Sequence, residues 1–150
     1  MNNIIYGINV IWAIPIILFI HEIEEWNILS WYKAHFVNLP KSTNTSVRIH
    51  IIVFGIIEFL LTIIAYHSHN IIIFSILIIF LFGFIFTNTI QHILITFISK
   101  SYMPGLITAI IATTINIYAN IILIKKNLIF SPIYFIMVLC IPSIIQTIKL

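Results

Sequence analysis

His21, Glu24 and Glu25 stand three and four residues apart at the close of an apolar run, so a helix continuing through them carries all three on one face. The 150-residue chain has only four carboxylates, and three of them, Glu22, Glu24 and Glu25, lie in this stretch. At the edge of a bilayer an ionised group costs several kcal/mol unless it is paired, protonated or bound to a cation. A divalent metal neutralises such a face most directly. Zinc hydrolases place two ligands four apart on a helix with the catalytic Glu beside one of them, as His-Glu-x-x-His or, inverted, as His-x-x-Glu-His. The stretch here follows the inverted order with Glu for the last His. That template predicts His21 and Glu25 as metal ligands and Glu24 as general base. Glu22, about 100° around the axis from His21, is expected to support the ligands or the helix packing. The plain alternative is a helix leaving the membrane, its carboxylates in water and Trp26 and Trp31 anchored at the interface.

A second polar face repeats the spacing further on. Asn88, Gln91 and His92 share one side of a helix. His92 is the expected third ligand, completing a two-His, one-carboxylate set that suits a catalytic zinc with an open position and, second, non-haem iron. Asn88 is expected to hold a substrate carbonyl or to orient His92. His35, His50, His67 and His69 have no such company and read as structural.

The elements that must position these groups are membrane helices. The composition is 61% hydrophobic and 7% charged, with a mean hydropathy of +1.17, against about 25% charged residues in soluble domains. The chain reads as one all-α integral membrane domain, residues 1–150, with about five spans: 4–20, 47–66, 71–98, 106–124 and 128–148. Pro15 permits a kink in the first, and Pro132 and Pro142 interrupt the last. The segment from Trp31 to Phe36 mixes aromatic and basic residues and is expected to form an interfacial helix. The third span exceeds what an untilted helix needs, which puts its polar section at its buried carboxyl-terminal end. Glu58 lies about 16 Å into the second span, near the bilayer midplane, where it must be protonated or paired within the bundle.

The first run ends in His and Glu, without a small-residue cleavage site, and is read as a retained span. Cys140 is the only cysteine and forms no intramolecular disulfide. Seven scattered Lys and Arg residues leave no basic cluster for nucleic acid. Lys33, Lys41, Arg48, Lys100 and Lys149 fall on one face and Lys125 and Lys126 on the other. The positive-inside rule then predicts an external amino terminus and a cytoplasmic carboxyl terminus, with both polar faces at the cytoplasmic side.

The chain resembles the HXXEE-motif family of membrane proteins of unknown function. The residues that carry the resemblance are His21-Glu22-Ile23-Glu24-Glu25, Asn88-Thr89-Ile90-Gln91-His92, and Pro104-Gly105 followed by Thr108. The resemblance implies a small multispan protein with enzymatic activity, but no substrate. From the residues, the expected function is a metal-dependent membrane enzyme acting on a lipid, isoprenoid or membrane-peptide substrate. Two other classes remain: a small proton- or cation-coupled transporter that uses Glu58 with the His21, Glu24, Glu25 and His92 cluster, and a structural or immunity protein whose polar cluster fixes helix packing. A metal-free acid and base pair of Glu25 and His92 is a variant of the first. The expected partner is the lipid bilayer, with the oligomeric state left open.

Overall fold

A computed structural model describes residues 9–37, 41–68 and 70–129. Among the described residues the chain is helical, with no strand. A 3₁₀ turn, Val10–Trp12, runs into α1, Ala13–Glu24; then come α2, Ile28–His35, α3, Asn44–His67, α4, Ile71–Ser99, and α5, Leu106–Lys125. Pro15 falls in the first turn of α1, where a missing N–H costs no helical bond.

Three helices, α3, α4 and α5, are long and apolar enough to cross a membrane. Their bounds match the expected second, third and fourth spans within a few residues. The expected count of five is therefore reduced to three among the described residues. The first expected span is described only from residue 9, and α1 has 12 residues, short of the roughly 20 that a bilayer requires. The fifth, with Pro132, Cys140 and Pro142, lies outside the described residues, as does His69. The segment expected at the interface is the short helix α2.

Local sequence sets the helix ends. Thr43 caps α3 reciprocally with Ser46, each side chain taking the other's backbone N–H at 3.1 Å. The Asn70 side chain accepts from Ile72 N–H at 2.9 Å and Ile73 N–H at 3.3 Å to start α4. Lys100, in the left-handed region at φ 50°, stops it.

α1, α3, α4 and α5 form a ring of four in which α1 packs on α5, α5 on α4, α4 on α3 and α3 on α1. Contacts fix the directions. Trp12 meets Tyr66 and Phe19 meets Phe59, so α1 and α3 are antiparallel. His21 meets Thr108 and Thr89 meets Thr113, which makes α5 antiparallel to α1 and places Thr89 of α4 beside the first half of α5. The buried Ala109, Ala112 and Ala119 give α5 a face without bulk, which lets α1 and α4 close on Ile11, Ile14, Leu18, Ile78, Leu81 and Ile85. This up-down order brings the end of α1, the start of α3, the last third of α4 and the start of α5 to one end of the bundle.

Candidate functional site

His21, in the last turn of α1, and His92, on α4, are both 1% exposed at that end. Glu25, one residue past α1, lies between them. Its Oε1 is 3.2 Å from His21 Nε2 and 2.5 Å from His92 Nε2. The imidazole rings meet edge to face with centroids 5.1 Å apart. One donor atom from each of the three residues lies within 4.8 Å of the other two. Donors around a tetrahedral zinc stand roughly 3.3 Å apart, given bonds of about 2.0–2.1 Å, so the three groups need only a small adjustment to share an ion. Their chemistry, two imidazoles and one carboxylate, fits a divalent metal. Burial works against ionisation of Glu25, but the hydrogen bonds from His21 and His92 outweigh it and hold its carboxyl at about 2.

The turn before α5 closes the third side. Gly105 adopts φ +93°, a region that favours glycine. A Cβ there would lie 2.7 Å from His92 Cε1, 2.9 Å from Glu25 Oε1 and 2.9 Å from His21 Cε1. The Pro104-Gly105 turn thus brings bare backbone against the triangle. Thr108, in the first turn of α5, reaches His21 Nδ1 at 2.9 Å.

Asn88 and Glu24 stand elsewhere than the spacing implied. The Asn88 amide nitrogen is 2.7 Å from His21 Nε2; it bears on His21 and not on His92, because α1 and α4 run the same way and the turn before His92 lies level with the turn before Glu25. Glu24, expected as the base, accepts from Tyr102 OH at 2.5 Å and from Thr108 Oγ at 2.6 Å. Partial burial would raise its carboxyl, but bonds from Thr108, Tyr102 and the backbone of Gly105 and Thr108 hold it below its ordinary value. Glu24 therefore ties the end of α1 to the start of α5.

A cavity of about 370 Å³ opens beside the triangle. Its lining combines polar residues, Glu22, Glu25, His50, Asn88, Gln91 and His92, with apolar ones, among them Leu29, Ile51, Phe54, Phe84 and Met103. Glu22 is buried against this space, whereas Glu24 is not among its lining residues. His50 also faces it, although no neighbour in the sequence marked it. Tyr102 and Met103 were likewise missed, because only the fold of the turn brings them near α1. Glu58 lies about 21 Å along the 24-residue α3, 4% exposed, with both carboxyl oxygens unpartnered among the described residues. His35 bonds the Trp31 carbonyl at 2.8 Å and stacks on its ring, a structural role as expected.

A family model described as a protein of unknown function with HXXEE motif matches residues 12–119. No curated protein and no solved structure matches the chain.

Proposed function

Because the chain belongs to the HXXEE-motif family of proteins of unknown function, whose name-giving residues His21, Glu24 and Glu25 all act at one end of the bundle, we propose that this end is the active site of a metal-dependent membrane enzyme. His21, Glu25 and His92 hold a divalent cation, zinc in preference to iron. The observation that carries the reading is the convergence of these donors, from the end of α1 and from α4, on the wall of a cavity whose lining combines polar and apolar residues. When bound, the metal would supply a Lewis acid for a carbonyl or phosphoryl oxygen.

The chain's own residues divide the remaining work. Glu22, beside His21 and lining the cavity, takes the proton-accepting role for which Glu24 is not free. Asn88 donates its amide to a substrate carbonyl. Phe54, Phe84, Leu29 and Ile51 exclude water and hold the apolar part of a lipid, isoprenoid or membrane-peptide substrate. The wider reading is a bundle of about five spans with an external amino terminus and a cytoplasmic carboxyl terminus, which rests on the distribution of Lys and Arg. A reporter fused after Leu150 tests it, and external activity would reverse it.

Metal analysis of the purified full chain, followed by zinc titration in detergent, tests the site. One zinc per chain is expected. His92→Ala and Glu25→Gln should lose it, and Glu22→Gln should keep it. Absence of zinc binding in the intact protein would leave the metal-free pair of Glu25 and His92.

The second reading, proton- or cation-coupled transport, is favoured by one observation, the Glu58 carboxyl buried in mid-helix without a partner among the described residues. Proteoliposome flux that disappears in Glu58→Gln would support it. Equal flux in empty vesicles would end it.

A further inference from the structure

We propose that Glu24 and Thr108 form one positioning device that holds His21 in the tautomer with its proton on Nδ1 and its lone pair on Nε2. The inference rests on the reading of His21 as a metal ligand and adds to it the way in which the ligand is prepared.

The argument is a count of protons. A threonine hydroxyl has one proton to give and two lone pairs. Three polar atoms surround Thr108 Oγ1: Glu24 Oε2 at 2.6 Å, His21 Nδ1 at 2.9 Å and the Gly105 carbonyl at 3.1 Å. A carboxylate oxygen and a backbone carbonyl only accept. Whichever of them takes the Thr108 proton, none remains for His21, so Nδ1 must be the donor and the hydroxyl oxygen the acceptor.

The other side of the ring meets two groups, the Asn88 amide and the Glu25 carboxylate. The Asn88 amide nitrogen, 2.7 Å from His21 Nε2, has hydrogens and no lone pair to offer, so Nε2 accepts. Glu25 Oε1, 3.2 Å from Nε2, only accepts and is given a proton there when the ring is cationic; in the neutral ring the acceptor-only demand at Nδ1 decides, and Nε2 keeps its lone pair. That lone pair is what a divalent ion requires, and the far nitrogen of a ligating histidine is characteristically held in this way by an acceptor.

Tyr102 adds a second support by donating to the other Glu24 oxygen at 2.5 Å, which keeps the carboxylate turned towards the start of α5. His92 differs. Both rings turn Nε2 towards the Glu25 carboxylate, at 3.2 Å for His21 and 2.5 Å for His92, but the His92 Nδ1 is buried without a partner among the described residues, so no acceptor there holds its proton away from Nε2. His21 is the prepared ligand, and His92 must give up its Nε2 proton when an ion arrives. The device also accounts for two consecutive glutamates. Glu25 is one corner of the triangle, while Glu24 faces the hydroxyl that orients another corner, His21.

The experiment uses the full chain in detergent, with ¹⁵N-labelled histidine and without metal, at a pH where the imidazoles are neutral. The signal of His21 is identified by its loss in His21→Asn. Wild type is expected to show the Nδ1–H tautomer alone. Thr108→Val removes the acceptor and should give a mixture of tautomers, and Thr108→Ser should restore the single form. Glu24→Gln lets an amide donate into the hydroxyl and leaves the Gly105 carbonyl and His21 Nδ1 to compete for the Thr108 proton, which should raise the Nε2–H form part of the way. Titration with zinc alone should show a 10- to 100-fold loss of affinity in Thr108→Val, recovered by Ser. An unchanged His21 signal in both Thr108→Val and Glu24→Gln overturns the proposal. If Thr108→Val does not fold, Thr108→Ala, which also removes the hydroxyl, decides by the same signal. A wild type that shows the single tautomer and binds no zinc supports the device and removes the metal reading, so the two failures are distinguishable.

Discussion

Polar side chains are buried in two regions of this bundle, at the end where α1, α4 and α5 meet and along the middle of α3, α4 and α5. At the end, bonds cross between elements: Glu24 to Tyr102 and Thr108, Thr108 to His21, Asn88 to His21, and Glu25 to His92. In the middle they return to their own helix. Thr62 bonds the Glu58 carbonyl, Asn116 that of Ala112 and Asn120 that of Asn116, each four residues back. Among the described residues the Glu58 carboxyl, the Ser75 hydroxyl and the side-chain oxygens of Asn116 and Asn120 have no partner. Thr89 lies at the border, bonding Ile85 behind it and Ala109 and Thr113 across the interface. A buried polar residue is therefore not by itself a sign of chemistry. The sign is that groups from separate elements complete one another.

The largest expected effect separates two glycines. Gly105→Ala adds a Cβ that meets three members of the triangle below 3 Å and also forces a side chain into φ +93°, a backbone cost of roughly 1–2 kcal/mol. Zinc affinity should fall at least 100-fold in a titration of the purified protein. Gly55→Ala, whose Cβ would sit at an ordinary 3.6 Å from Phe19, should change it less than twofold. Equal effects would erase the distinction between the two regions.

The next effect is in acid. The carboxyl of Glu25 is held at about 2, from an ordinary value of 4.5. A lowered value means stability that is fully present above 4.5 and lost as pH falls towards 2. Thermal unfolding of the metal-free protein should show this loss, and Glu25→Gln should flatten the curve across that window. A parallel curve in the variant would mean that Glu25 is not paired as described.

The smallest effects compare Thr89 with Asn116. Thr89→Val breaks bonds that cross from α4 to α5 and should destabilise the fold by about 1 kcal/mol. Asn116→Leu removes an oxygen without a partner and should be neutral or stabilising by up to about 1 kcal/mol. Both are read by unfolding in mixed micelles. A clear loss of stability in Asn116→Leu would show that its oxygen is satisfied after all, and would move that residue into the class of the site.

Much of this was legible from the residues alone. Apolar runs longer than a bilayer is thick, broken by Asn, Ser and Pro-Gly, specify α3, α4 and α5, because each helix satisfies its own backbone and needs no distant partner. Spacing of three and four puts His21 with Glu25, and Asn88 with His92, on common faces, because helical geometry is local. The scarcity of carboxylates directed attention to residues 21–25. Only the tertiary structure decided which of them face one another. Glu24 and Glu25 are adjacent and chemically identical, and spacing alone cast Glu24 as base. The start of α5 packs beside the end of α1 and claims Glu24 for Thr108 and Tyr102, leaving Glu22 and Glu25 on the cavity. Asn88 serves His21 because the relative height of α1 and α4 sets which turn meets which. Those choices depend on packing between segments more than 60 residues apart, where no local propensity reaches, and the alanine face of α5 sets how closely the segments approach.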